Sequence, residues 1–325
     1  MAELYIDKLS VTQIKSALDA QYLSASQTQS LFAPRNSVSG EASYTTPGTY
    51  SFVVPDGVIK ISAVAVGAGG AGGYTWSNSA GAGGALAWAD NIPVTAGQVI
   101  SITVPATTTS NPPVNGASAV VGSFFTAAGG QYASNGGIGG SPQSGTVTAS
   151  GGKGGNTYTT NWQGGGGGAG GYTGAGGNGY YGGTGNLPYN GAGGGAGGGG
   201  GYGSSTYAFG GGGGVGINGR GTSGTWGSLS SQSSAPSDNG NSFYSDLRYS
   251  GPAGSGGENG APNSNGSTTS NLGRTQYSGE GGNYGGGGGG SGSSQTANAL
   301  FGRGAQGAVR IVWSTNPSYS ILTGV

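Results

Sequence analysis

The sequence predicts a mainly β protein: a short N-terminal helical module, then a β-sandwich that frames a glycine-rich body. Three observations predict it. Apolar residues recur at spacings of three and four only before residue 34, apolar and polar residues alternate from Thr49 onward, and 74 of the 81 glycines fall within 67–300.

The helical module comes first. Ser10 with Gln13 forms a capping box, and Val11, Ile14, Leu18 and Tyr22 follow on one helical face. A second box, Ser24 with Gln27, opens a shorter helix that ends in Leu31 and Phe32 before Pro34. Helices this short are marginal alone in water, so their apolar faces must pack on something. The module is either an ordinary cap on the following domain or an attachment and oligomerisation piece. The run Ser37 to Gly40 reads as a linker.

Period two then takes over. Tyr50, Phe52 and Val54 alternate up to a Pro55-Asp56-Gly57 turn, and the β-branched run from Val58 to Val66 follows, which predicts a hairpin. Further strands are expected at Ala85 to Trp88, Ile92 to Val94, Val99 to Val104 and around Val120 to Ala127. A last strand, Ala308 to Trp313, places Val309, Ile311 and Trp313 on one face and closes the sandwich. The expected division is therefore 1–40 helical module and linker, 41–130 sandwich strands, 131–300 glycine-rich body, and 301–325 closing strand and tail.

Ordering glycine costs about 0.5 to 1 kcal/mol more than ordering alanine in regular structure, so a folded glycine body needs a compensating interaction. Glycine can follow the extended threefold path of polyproline II with its amide free. Without side chains, neighbouring strands come close enough to pair N–H with C=O laterally. Runs such as Gly164 to Gly168 and Gly285 to Gly290 suit such polyglycine II helices, and the stretch from Gly164 to Gly171 would span about 25 Å at roughly 3.1 Å per residue. A collagen triple helix is excluded because no strict Gly-X-Y period exists. The competing reading of the composition is a flexible glycine tract.

Several kinds of chemistry are excluded. The chain has no Cys and no His, so thiolate nucleophiles, disulfides, Cys/His zinc sites and Ser-His-Asp triads are absent, and no metal or cofactor is expected. Its 10 basic and 10 acidic residues cancel, which argues against nucleic acid as a partner. No apolar run is long enough for a membrane-spanning helix, and residues 1–10 contain no apolar signal-peptide core. Only paired carboxylates could support catalysis. Asp238 with Asp246, or Glu258 with Glu280, are the candidates, and nothing in their spacing selects the geometry of a glycosidase. The expectation is a protein that is not an enzyme.

Between the glycine runs lie segments rich in Tyr, Trp, Asn, Ser and Thr. Rigid aromatics beside small hydrogen-bonding residues offer large contact area at low entropic cost, which predicts recognition loops on a stiff scaffold. The candidate contact residues are Trp162, Tyr172, Tyr180, Tyr181, Tyr189, Tyr207, Trp226, Phe243, Tyr244 and Tyr277. The alternative role for each is to seal the glycine body as its only hydrophobic mass.

The runs YSFVVPDG over 50–57 and AVAVGAGG over 63–70 resemble the opening of the glycine-rich domain of bacteriophage tail fibres. GGALAW over 83–88 and IPVTAGQ over 92–98 are similar to the next two strands of that domain, and GAVRIVW over 307–313 to its closing strand. AQYLS over 20–24 and LFAP over 31–34 look like connector segments of cyanophage-type fibres. The resemblance covers about half the chain. It implies a virion protein comparable with the tip adhesins of T-even-like phages, whose loops contact a host cell-surface receptor, either a glycan or an outer-membrane protein. It further implies a homotrimer joined to another phage tail protein through its N-terminus. Those adhesins carry a larger N-terminal fibre-binding domain than residues 1–34 can form. A non-adhesive virion component and, more weakly, a glycan depolymerase are the alternatives.

Overall fold

A computed structural model describes residues 39–72, 80–109, 113–132, 147–155, 164–179, 211–220, 281–289 and 302–314. The chain divides into two units, Met1–Val38 and Ser39–Val325. The first unit lies outside the described residues, and with it the expected helical positions Val11, Ile14, Leu18, Tyr22, Leu31 and Phe32.

The described part of the second unit is mainly β, with nine strands: β1 (Ser39–Tyr44), β2 (Gly48–Val53), β3 (Lys60–Val66), β4 (Leu86–Pro93), β5 (Val99–Val104), β6 (Ala119–Val121), β7 (Phe125–Ala127), β8 (Val147–Ala149) and β9 (Ala308–Ser314). They form two antiparallel sheets, one in the order β1-β9-β3-β4-β8 and one in the order β2-β5-β6-β7. The sheets face each other, with β3 and β9 against β6, and β4 against β7. Phe52 of β2 meets Trp313 of β9 with ring centroids 5.3 Å apart.

Burial accounts for the two kinds of strand sequence. In β2 and β5 the pattern alternates, because Phe52, Ile100 and Ile102 point into the core while Ser51, Val53 and Ser101 face solvent. In β3 it is continuous: all residues from Ile61 to Val66 are buried. Around β3 the larger sheet is covered on both faces, which removes any reason to alternate. One face meets the smaller sheet. On the other, Val64, Val66, Leu86, Trp88, Ala308 and Val312 pack with Ala169, Tyr172, Val215 and Ile217.

Several expectations need correction. The run after Pro55-Asp56-Gly57 is not the second arm of a hairpin: β2 pairs with β5, whereas β3 pairs with β4 and β9. Val54 and Val58, each 1 % exposed, anchor the two sides of the turn in the core, while Asp56 and Gly57, the latter at φ 79°, are exposed where the chain passes from one sheet to the other. The strands expected at 85–88 and 92–94 are one strand, β4, continuous past a bulge opposite Ser62 where Asn91 adopts φ 56°. The expected linker at Ser37 to Gly40 runs into β1, all six residues of which pair with β9. The C-terminal strand therefore lies between β1 and β3 and does not close an edge.

The glycine segments do not form one block after the strands. They interleave with them: 67–72 follows β3, 80–85 precedes β4, 128–131 follows β7, 150–155 follows β8, and 302–307 precedes β9. These segments bond to one another laterally, and donors three residues apart share a neighbour. Gly67 and Gly70 donate to Ala85 and Ala82, Ala68 and Ala71 to Ala117 and Val114, and Gly69 and Gly72 to Ala305 and Gly302, all at 2.9–3.2 Å. The next segment repeats the rotation at 2.7–3.1 Å: Ala80 and Gly83 donate to Gly155 and Gly152, Gly81 and Gly84 to Gly288 and Gly285, and Ala82 and Ala85 to Gln131 and Ala128. Neighbours run antiparallel in these cases and parallel where Gly167 and Gly170 donate to Gly81 and Gly84.

Close approach is what requires glycine here. A Cβ on Gly83 would fall on the Gly168 carbonyl, and one on Gly179 on the Gly165 carbonyl. Neither residue has the positive φ that glycine serves at Gly57.

Candidate functional site

The hydrogen-bond register gives the array two ends. At one end the segments pass directly into strands, as at Val66 to Gly67, Ala85 to Leu86 and Gly307 to Ala308. At the other, Gly72 pairs with Gly302, Gly302 with Gly289, Ala80 with Gly155, and Gly155 with Gly165. The described chain leaves this second end at Gly72, Gly155, Gly179 and Gly289 and re-enters at Ala80, Gly164, Gly211 and Gly302. The sequences between these points are 73–79, 156–163, 180–210 and 290–301. None contains Asp, Glu, Lys or Arg, and together they carry Tyr74, Trp76, Tyr158, Trp162, Tyr180, Tyr181, Tyr189, Tyr202, Tyr207, Phe209 and Phe301. The described chain thus leaves and re-enters at this end of the array, away from the sheets, on either side of four aromatic, uncharged sequences.

Of the ten aromatic contact residues expected from sequence, Trp162, Tyr180, Tyr181, Tyr189, Tyr207, Trp226, Phe243, Tyr244 and Tyr277 lie outside the described residues. So do the carboxylates Asp238, Asp246, Glu258 and Glu280. Tyr172 is described, and its expected contact role is corrected. It is fully buried, at the strand end of the array, against the larger sheet. Its hydroxyl donates to the Gly216 carbonyl and accepts from the Gly219 amide, both at 3.2 Å, and its own carbonyl accepts from Trp88 Nε1 at 2.9 Å. Burial pushes its pKa up to about 12. Tyr172 takes the alternative role weighed above: it is hydrophobic mass that seals the glycine body onto a sheet.

The same face holds an ion pair between a buried arginine and a half-exposed glutamate. Arg310 of β9 is 3 % exposed, and its guanidinium donates through Nε, at 3.1 Å, and through Nη2 to the Glu41 carboxylate of β1. The pair ties an edge strand to its neighbour under the carbonyl of Ile217, to which Nη1 donates at 3.5 Å. Among the described residues no group of acidic residues could hold a metal ion.

Sequence reasoning missed two residues at this second end of the array. Tyr132 is 43 % exposed and Val114 37 %, and the Ala71 amide bonds the Val114 carbonyl while the Ala82 amide bonds Gln131, the neighbour of Tyr132. The Tyr132 amide donates to Asn115 Oδ1 at 2.9 Å, which fixes the two segments side by side. The available signal was position, since Tyr132 follows directly on the glycine segment that ends at Gln131. No protein-family model matches the chain, and no curated protein matches it.

Proposed function

We propose that this chain is a receptor-binding protein of a bacteriophage tail, in which a bundle of polyglycine II helices presents aromatic loops to the host cell surface. The observation that carries the reading is the common anchoring of 73–79, 156–163, 180–210 and 290–301 at the end of the array away from the sheets. The polyglycine II assignment is supported by the three-residue rotation of hydrogen-bond donors, the period of that helix. A lattice bonded through its own backbone gives loops fixed roots whatever their sequence, as a recognition surface requires.

The absence of charge in these four connections bears on the receptor. Recognition runs through aromatic faces, hydroxyls and amides, so adsorption depends little on ionic strength. Residues 1–40 attach the protein to another tail protein, the virion is its location, and the working unit is a homotrimer. The role is adhesion without catalysis.

The test is adsorption of the fluorescently labelled full chain to phage-sensitive cells, competed by unlabelled protein, at low and high salt. Saturable, competed binding that persists at high salt is expected. Replacing Tyr180 and Tyr181 together by alanine should abolish it with the melting temperature nearly unchanged. Absence of binding by the folded protein on a sensitive host overturns the adhesive reading in favour of a structural virion component. Release of reducing ends from host glycan would favour the depolymerase.

A further inference from the structure

Three Asn-Gly steps, at Asn115, Asn178 and Asn218, lie among the described residues, and in all three the asparagine is exposed. Asn-Gly is the dipeptide most open to deamidation, because glycine puts no side chain in the way. The glycine nitrogen gives its proton to base and attacks the asparagine Cγ. The bond from Cγ to the amide nitrogen breaks and ammonia leaves. Water then opens the cyclic imide to aspartate or isoaspartate. Exposure alone would make these three sites labile.

The hydrogen bonds point the other way. The attacking nitrogen is in each case a donor held by a neighbouring group: Gly116 to the Gly130 carbonyl at 2.8 Å, Gly179 to the Lys153 carbonyl at 2.8 Å, and Gly219 to the Tyr172 hydroxyl at 3.2 Å. At two of the sites the electrophile is also held. Asn115 Oδ1 accepts from the Tyr132 amide and Asn178 Oδ1 from the Lys153 amide, both at 2.9 Å, which ties each carboxamide to another segment and restrains its rotation.

We propose that Asn115, Asn178 and Asn218 are modification sites gated by the array, silent while it is closed and reactive only where it opens. Asn218, with one restraint against two, is the fastest of the three in the native protein.

The test is peptide mapping by mass spectrometry after incubating the full chain in mildly alkaline buffer, native and in denaturant. Conversion at Asn115 and Asn178 should be slower in the native protein by about tenfold or more. Equal native and denatured rates at these two sites overturn the proposal. Tyr172→Phe removes the acceptor of the Gly219 amide. It should raise the rate at Asn218 alone, and an unchanged rate at Asn218 in the folded variant also overturns the proposal. Because the Asn115 and Asn178 comparison uses the unaltered chain, it decides the matter even if that variant does not fold.

Discussion

The paired sheets and the glycine array reach the same degree of burial by opposite means. In the sheets the buried mass is side chain: Phe52, Ile100, Ile102 and Phe125 fill the space between layers, and the backbone bonds run within each layer. In the array the buried mass is backbone. Gly83, Gly84, Gly167 and Gly168 are buried with no side chain at all, and their amides bond laterally to neighbouring segments. A core built on side chains can relax when an atom is added or removed, because rotamers shift. A core built on backbone has nothing to move except the backbone.

The comparison breaks most directly at one methyl group. Gly83→Ala sets a Cβ against the Gly168 carbonyl, and Gly57→Ala sets one in open space at a positive φ. The first should cost more than about 4 kcal/mol or prevent folding, and the second about 1 kcal/mol. Denaturant unfolding of both variants measures the difference, and similar small losses would mean that the array yields as a side-chain core does. Leu86→Ala comes next, a deletion where the array joins the sheet, with an expected loss of about 2 to 5 kcal/mol in the same assay.

A pH-dependent effect tests the seam between the regions. Tyr172 keeps its proton up to about pH 12 in the folded chain, whereas an unfolded tyrosine loses it near the ordinary value of 10.0. Between those values the unfolded state binds fewer protons, so stability falls as pH rises, by about 2 to 3 kcal/mol from this group. Below pH 10 its contribution is complete. Thermal melts across this window should show a shallower loss in Tyr172→Phe than in the parent protein.

How much of this was legible differs between the regions for the same reason. Strands with side-chain cores announce themselves by period, and β5 was expected at the bounds it has, Val99–Val104. β1 was missed because SGEASY offers no apolar alternation; an edge strand held by pairing with β9 and by Glu41 on Arg310 does not need one. The array carries a fainter sign. Ala68 and Ala71, like Ala82 and Ala85, stand three apart and share a neighbour, so the period lies in alanine where a search for Gly-X-Y looks to glycine. Which segment meets which was beyond reading, since glycines have no side chains by which to choose partners. The two ends of the array depended on that connectivity, and Tyr172 could be placed in the core only once its neighbours Val215 and Ile217 were known.

The donor rotation also constrains how such a chain can change its length. One residue inserted within 67–72 or 80–85 would turn every later amide toward the wrong neighbour, while three would restore the match one step further along. Length variation inside these segments should therefore come in multiples of three. The fold thereby writes a counting unit of three residues into these stretches of the gene.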